Sequence, residues 1–255
     1  MIFYFSGTGN SAKVAGMLGA KLEDDLMPVS NLIATADLVT GKTIGIVFPV
    51  HAWGPALPVM KFIDDMEDAF IERIRRKQLP LWVVMTCGDE TGEAPRIIED
   101  RLRGRGLGVS GIWSVIMPNT YVLLPGFDVD DKETESMKLL QKDERVNHIA
   151  LRIRDEKWER DFTAGSMPRI KTRLVYPLFR RWGINPSRWK ATDECISCGK
   201  CSQVCPEENI KMEDGKPGWG RNCVSCLGCY HVCPRHAVAY GGVTASKGQY
   251  RTLMP

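Results

Sequence analysis

Over its first ~160 residues the chain alternates two hydrophobic rhythms. Short, unbroken apolar runs stand near Ile2–Phe5, Leu26–Val29, Thr43–Phe48, Leu81–Thr86 and Gly111–Met117, and they suit strands covered on both faces. Between them apolar residues recur every three or four positions, which predicts helices near Ser11–Leu22, Leu57–Phe70 and Ala94–Arg103. A last helix is expected from about Asp130, with Asp130 and Glu133 as a capping box and Met137, Leu140, Ile149 and Ile153 along one face. Strands alternating with helices in this way predict an α/β domain over residues 1–161, built on a parallel sheet.

That rhythm stops near residue 162. Pro168, Pro177 and Pro186 interrupt any long helix, so residues 162–190 read as a linker with a short helix at most. Residues 162–192 hold seven basic side chains (Arg169, Lys171, Arg173, Arg180, Arg181, Arg188 and Lys190) and no acidic one. The net charge of +3 therefore hides a basic segment on a mildly acidic protein, with 27 basic against 31 acidic residues elsewhere. Two readings of it stand, a solvated linker or a docking surface for an acidic partner protein. Nucleic acid and anionic lipid are weaker options, although Arg180, Arg181 and Trp182 beside Tyr176 and Phe179 form an amphipathic patch.

Residues 191–255 change character again, being dense in cysteine, glycine and proline with few apolar runs. Such a segment builds no large core and needs metal staples. The 255-residue chain is 44 % hydrophobic and 25 % charged, the balance of a soluble globular protein. It has no apolar run long enough to span a bilayer, and no basic stretch or cleavage site marks its start. A cytoplasmic location is expected.

Eight of the nine cysteines fall in a repeat. Cys195-Ile-Ser-Cys198-Gly-Lys-Cys201-Ser-Gln-Val-Cys205-Pro206 is followed by Cys223-Val-Ser-Cys226-Leu-Gly-Cys229-Tyr-His-Val-Cys233-Pro234. Zinc sites favour isolated cysteine pairs, often mixed with histidine, and disulfides are out of place in a reducing compartment. Three thiolates two residues apart let one tight loop wrap three corners of an iron–sulfur cube, with Ser197, Gly199, Ser225 and Gly228 admitting close backbone approach. The pattern resembles the two-cluster bacterial ferredoxins. The resemblance implies two [4Fe–4S] clusters with crossed ligation, one on Cys195, Cys198, Cys201 and Cys233, the other on Cys205, Cys223, Cys226 and Cys229. His231 and His236 flank the last cysteine as candidates for tuning a cluster through hydrogen bonds.

The second motif, Ser6-Gly7-Thr8-Gly9-Asn10-Ser11, follows the first strand and opens the first helix. Amides at a helix N-terminus, three hydroxyls and two glycines for tight curvature suit a phosphate monoester without a metal. Neither a dinucleotide fingerprint nor a P-loop fits. The turn resembles the flavodoxin phosphate loop at every position, which implies FMN held at the carboxyl ends of a doubly wound, five-stranded parallel sheet of order 2-1-3-4-5. On that resemblance the ring-binding loops are Pro49-Val50-His51-Ala52-Trp53-Gly54 and Thr86-Cys87-Gly88-Asp89, with Asn119 and Tyr121 after the fifth strand. Trp53 reads either as a cover for the isoalloxazine or as an interdomain packing residue. Glu93 stands where many flavodoxins place an aromatic, so one flavin face is left for Tyr121 or the ferredoxin-like domain. Cys87 lacks a sequence-adjacent histidine and reads as packing rather than as a nucleophile, and His51 has the same bland reading.

A flavodoxin-like domain, a linker and a small α+β two-cluster domain in this order resemble the flavodoxin–ferredoxin fusions called ferrodoxins, found in anaerobic and fermentative microbes. The resemblance implies an electron-transfer flavo-iron–sulfur protein relaying electrons between clusters and FMN, with a ferredoxin or oxidoreductase as redox partner. A flavin-dependent reductase of a small molecule, using the clusters as its wire, is the alternative. A non-redox regulatory role is disfavoured by the intact phosphate loop.

Overall fold

The computed structural model describes residues 1–124 and 126–251; residues 252–255 of the expected C-terminal tail lie outside the described residues. Its main sheet is formed by β1 (Ile2–Tyr4), β2 (Leu26–Pro28), β3 (Ile44–His51), β5 (Leu81–Cys87), β6 (Gly111–Ile116) and β7 (Arg160–Asp161), with β4 (Gly54–Pro55) folded back on β3. The order is β2-β1-β3-β5-β6-β7, and all pairs but β3–β4 are parallel. The five predicted strands thus occupy the expected 2-1-3-4-5 order, and two short strands add to them.

Alternate residues of each strand feed two cores. Ile44, Ile46 and Phe48 pack with Leu81, Val83 and Met85 on one face, and Val47, Trp82 and Val84 with Trp113 on the other. The first face is covered by α2 (Leu57–Asp64), α3 (Asp68–Arg76) and α4 (Ala94–Gly104), the second by α1 (Asn10–Leu22) and α5 (Lys132–Arg154). Both faces are therefore dry, which is why the strands read as continuous apolar runs.

The helix expected over Leu57–Phe70 is broken in two. The Arg105 guanidinium donates to the carbonyls of Ile63 (2.8 Å), Asp64 and Met66, supplying partners to the backbone that the break frees. The expected cap of α5 also shifts by one residue. Asp131 is the N-cap and accepts from the Thr134 amide at 2.7 Å, whereas Asp130 turns inward to Asn119 and Lys138. Met137 and Leu140 are exposed; Val146, Ile149, Ala150 and Ile153 make the packed face.

The largest departure lies in the expected linker. Residues 168–183 form one helical run in which two π turns, Lys171–Val175 and Phe179–Gly183, bracket the α turn Tyr176–Leu178. Pro168 sits at the start, where a missing N–H costs nothing. Pro177 is interior, and the wider π turns are the standard relief for an insertion that an α-helix cannot accommodate. Thr172, Tyr176 and Phe179 are buried. Thr172 Oγ1 donates to the Trp53 carbonyl at 2.9 Å and accepts from the Glu93 amide at 2.9 Å, and Tyr176 OH donates to the Pro55 carbonyl at 2.7 Å. The segment is docked on the sheet's carboxyl-end loops rather than solvated.

The C-terminal region is small and ferredoxin-like. Two antiparallel pairs, Ile210–Glu213 with Lys216–Trp219 and Trp189–Ala191 with Val238–Tyr240, enclose helical turns at Lys200–Gln203 and Gly228–Val232. Its core includes Val122 and Leu123 from the loop after β6, and Cys226 packs in return against the core of the main sheet.

Candidate cofactor sites

The eight cysteines of the repeat divide between two cavities. One is lined by Cys195, Cys198, Cys201 and Cys233, the other by Cys205, Cys223, Cys226 and Cys229. Each set takes its fourth member from the opposite motif. Among the described residues no three cysteine sulfurs lie within 4.8 Å of one another. Thiolates on one zinc, each about 2.3 Å from the metal, would do so. Four sulfurs spread around a void fit a cube of iron and sulfide instead.

The two cysteine loops repeat their backbone as well as their sequence. Ser197 and Ser225 have φ of 58° and 51°, and Gly199 and Leu227 follow at 72° and 66°. A leucine in the left-handed region is costly, by roughly 1–3 kcal/mol, and the buried Leu227 side chain lines the second cavity in exchange. Burial disfavours the thiolate at three of the four sulfurs there, Cys223, Cys226 and Cys229. Burial pushes Cys226 up to about 12 and Cys229 well above the usual range. A cationic metal centre is what stabilises such sulfurs as thiolates.

Around the sulfurs, backbone amides of Asn209 and Ala237 donate to Cys205 (3.4 Å) and Cys233 (3.2 Å). The stacked indoles of the buried Trp189 and the half-buried Trp219 direct N–H groups toward Cys223 and Cys229, beyond ordinary hydrogen-bond length. The two flanking histidines do something other than address a sulfur. His231 accepts from the Tyr250 amide at Nδ1 (3.0 Å), which leaves Nε2 to donate to the Thr120 carbonyl (2.8 Å) and fixes the neutral tautomer. His236 bonds to Tyr230 OH at 2.7 Å. Both tie together elements around the second loop.

The N-terminal turn forms a pocket with the loops predicted for it. Ser6, Gly7, Thr8, Asn10, Ser11, Pro49, Val50, His51, Ala52, Thr86, Cys87, Gly88, Asn119 and Tyr121 line it. Gly9 lies just outside and, at φ 90°, turns the chain into α1. Trp53 and Asp89 line the adjoining cleft of about 640 Å³, and Gly54 pairs with His51 across β3 and β4. Trp53 Nε1 donates to Glu90 at 2.7 Å, and Lys171 and the Ser166 amide hold the same carboxylate. Burial would raise the Glu90 pKa, but the bonds from Lys171 and Trp53 outweigh it and hold the carboxyl below its usual range.

Several polar atoms in the pocket have no protein partner. Ser6 Oγ, Asn10 Oδ1 and His51 Nδ1 are buried and unbonded, although Asn10 Nδ2 donates to the Pro118 carbonyl at 3.0 Å. Buried polar groups are ordinarily satisfied, so the pocket is built for a polar ligand. A hydroxyl and the free amides at the start of α1 suit a phosphate, and Asn10 Oδ1 suits a hydroxyl further along. Ser11 Oγ already shares a hydrogen bond with Thr86 Oγ1 at 2.7 Å. Burial, then the Asp89 charge, pushes Cys87 up to about 12, which disqualifies it as a nucleophile at neutral pH.

Sequence reasoning missed several residues of this site. Phe179, from the helical run, lines the pocket and meets Tyr121 at 6.4 Å, ring centre to ring centre. Glu93 points to Arg96, Arg169 and Arg173, anchoring that run instead of covering the pocket. Asp130 clamps Asn119, accepting from its amide at 2.9 Å and its side chain at 3.0 Å, and Lys138 bonds Asp130 at 2.8 Å. Ser225, Cys226 and Leu227 close the remaining side, and all three also line the second cysteine cavity. A shared wall of this kind has no sequence signature.

Residues 184–238 match the family of 4Fe-4S dicluster domains, so the C-terminal region is an iron–sulfur domain. No curated protein matches the chain. Solved structures that match part of the chain include two flavodoxin-sized proteins. The Trp repressor binding protein from Bacillus subtilis is 13 % identical, covering 45 % of this chain and 82 % of its own, with a TM-score of 0.36. A candidate flavoprotein from Bacteroides uniformis is 16 % identical, covering 46 % and 90 %, with a TM-score of 0.33.

Proposed function

We propose that the protein is an electron-transfer flavo-iron–sulfur protein, in which two [4Fe–4S] clusters exchange electrons with FMN inside one chain. The observation that carries this is the wall of Ser225, Cys226 and Leu227, which separates the phosphate-loop pocket from the second cysteine cavity by a single turn of backbone. A flavin would supply a centre able to hold one or two electrons, whereas a cluster passes one at a time. With the second cysteine loop as part of the pocket, no diffusional encounter separates the centres.

The residues take roles accordingly. Ser6, Thr8 and the first amides of α1 hold the phosphate, Asn10 and Asn119 orient the chain beyond it, and Phe179 and Tyr121 exclude water from the ring. Cys195, Cys198, Cys201 and Cys233 hold the outer cluster; Cys198 is exposed, which makes this the entry point for a redox partner. Cys205, Cys223, Cys226 and Cys229 hold the inner one. The alternative, a small-molecule reductase using the clusters as its wire, would draw protons from the titratable groups that line the cleft, Asp89, Glu90, Tyr121 and Lys171, of which Glu90 and Lys171 are bonded to each other. The relay needs none of them and is the reading we propose.

The test is anaerobic purification with iron, sulfide and flavin quantified, then stepwise reduction followed by EPR and visible absorbance. About eight irons and one FMN per chain, exchanging electrons, are expected. Eight irons with no flavin uptake on reconstitution would overturn the reading.

A further inference from the structure

The helical run 168–183 has two opposed apolar faces, and only one of them is used. Thr172, Tyr176 and Phe179 are buried against the sheet's loops. On the opposite face Met167, Ile170, Leu174, Leu178 and Trp182 recur at steps of three or four and are 63 %, 56 %, 60 %, 49 % and 65 % exposed. Scattered exposed apolar residues are ordinary, but a contiguous stripe marks an interaction surface. The stripe continues past the helix, since Leu124 and Phe127, 47 % and 42 % exposed, line the same cleft as Leu178 and Trp182.

Charge decides what covers it. Arg169, Arg173, Arg180 and Arg181 are exposed along the run and Arg188 just beyond it, and residues 162–192 contain no acid. Glu93 answers Arg169 and Arg173. Among the described residues Arg180 and Arg181 have no carboxylate within 4.0 Å, and they lie over the rings of Tyr176 and Trp182. A second copy paired through this same face would bring two arginine-bearing, acid-free runs together. Leucine, isoleucine and tryptophan on one face with arginine at its flanks is the chemistry of a helix lying in the plane of an anionic bilayer. No helix of the described residues is long and apolar enough to cross one.

We infer that residues 167–182 form an in-plane membrane anchor that seats the protein on anionic lipid, with the mouth of the Trp53–Trp182 cleft at the bilayer surface. The anchor is independent of what fills the cofactor sites.

The experiment is co-sedimentation of the purified holoprotein with vesicles of phosphatidylcholine alone and of an equal mixture with phosphatidylglycerol. Binding to the mixed vesicles only is expected, weakening as salt screens the charges. Each basic residue near such a surface contributes about a fivefold gain in partition, so the double variant R180Q/R181Q should lose about 25-fold. The double variant I170Q/L174Q, outside the cleft and the pocket, should lose at least tenfold while its visible spectrum stays unchanged. Binding to neither vesicle, or to both alike, overturns the anchor. So does a dimer in sedimentation velocity that I170Q/L174Q dissolves, which would give the stripe to a second copy.

Discussion

At Gly7 the Ser6–Ser11 turn meets the second cysteine loop with no room for a side chain. A methyl group there would sit 2.5 Å from both Cys226 Cβ and the Cys226 carbonyl oxygen, and one on Gly228 would sit 2.6 Å from the Gly7 carbonyl oxygen. Gly7 thus serves close approach, whereas Gly9 supplies the turn. Gly7→Ala should force the loops apart at an overpacking cost of about 1–3 kcal/mol; flavin affinity falls roughly tenfold or more, read by fluorescence titration. A variant binding flavin normally would show that the loops are not coupled. Trp219 gives a second prediction. Its N–H is directed toward Cys229 without a partner of its own. With a cluster bound it would close on the sulfur and favour the reduced state, and Trp219→Phe should lower that cluster's midpoint by roughly 20–60 mV in an EPR-monitored titration. His51 gives a third. Burial holds it at about 4, while the unfolded chain takes up a proton near 6.5. The unfolded state therefore binds more protons between those values, and stability present above pH ~6.5 is lost as pH falls toward 4, by up to about 1.4 kcal/mol per pH unit. His51→Gln should flatten that acid limb in thermal midpoints taken from about pH 7.5 to 5. His231, also held at about 4, keeps part of it. An unchanged limb would show that His51 is already charged in the folded protein.

The helical run 168–183 is the element that completes the pocket, through one ring. Phe179 is 7 % exposed, touches Tyr121 and His51 at centroid distances of 6.4 Å each, and lines the pocket beside the cysteine loop. Phe179→Ala removes a buried aromatic worth about 3–5 kcal/mol. It should leave a bound flavin open to iodide quenching, with an off-rate raised at least tenfold. Quenching equal to the parent's would mean that another group covers the ring. This element is also where reading the sequence fell short. The three prolines of residues 162–190 argued against a long helix, and π turns flanking an interior Pro177 leave no mark in a pattern of single residues. The main-sheet strands were legible because burial on both faces makes continuous apolar runs. Turns that answer to a distant partner were not. The break after Asp64 depends on Arg105, 41 residues on, and the inward turn of Asp130 depends on Asn119 and Lys138. The cysteine repeat and the Ser6–Ser11 turn were legible as motifs because each is a contiguous run of fixed spacing. The contact between them was not, since it depends on how two separately encoded units dock.

In the whole molecule the cysteine chemistry and the domain contact are one arrangement, because each cavity draws its cysteines from both motifs. Cys205 belongs by sequence to the first motif but lines the inner cavity, beside the wall shared with the N-terminal pocket; Cys233 belongs to the second and lines the outer. Cys205 lies within electrostatic reach of Cys223, Cys226 and Cys229, and Cys233 within reach of Cys201. The two variants therefore make opposite predictions from those of motif order. Cys205→Ser should cost the inner cluster and, with it, reduction of the flavin from a partner at the outer face, while an EPR signal from the outer cluster survives. Cys233→Ser should cost the outer cluster and slow entry of electrons. The inner cluster should still equilibrate with the flavin when a small mediator replaces the partner. Each variant should retain about four irons if the remaining site assembles alone. If Cys205→Ser instead removed the partner-facing cluster and left the flavin wired, ligation would follow motif order, and the wall of Ser225, Cys226 and Leu227 would not be the path between centres.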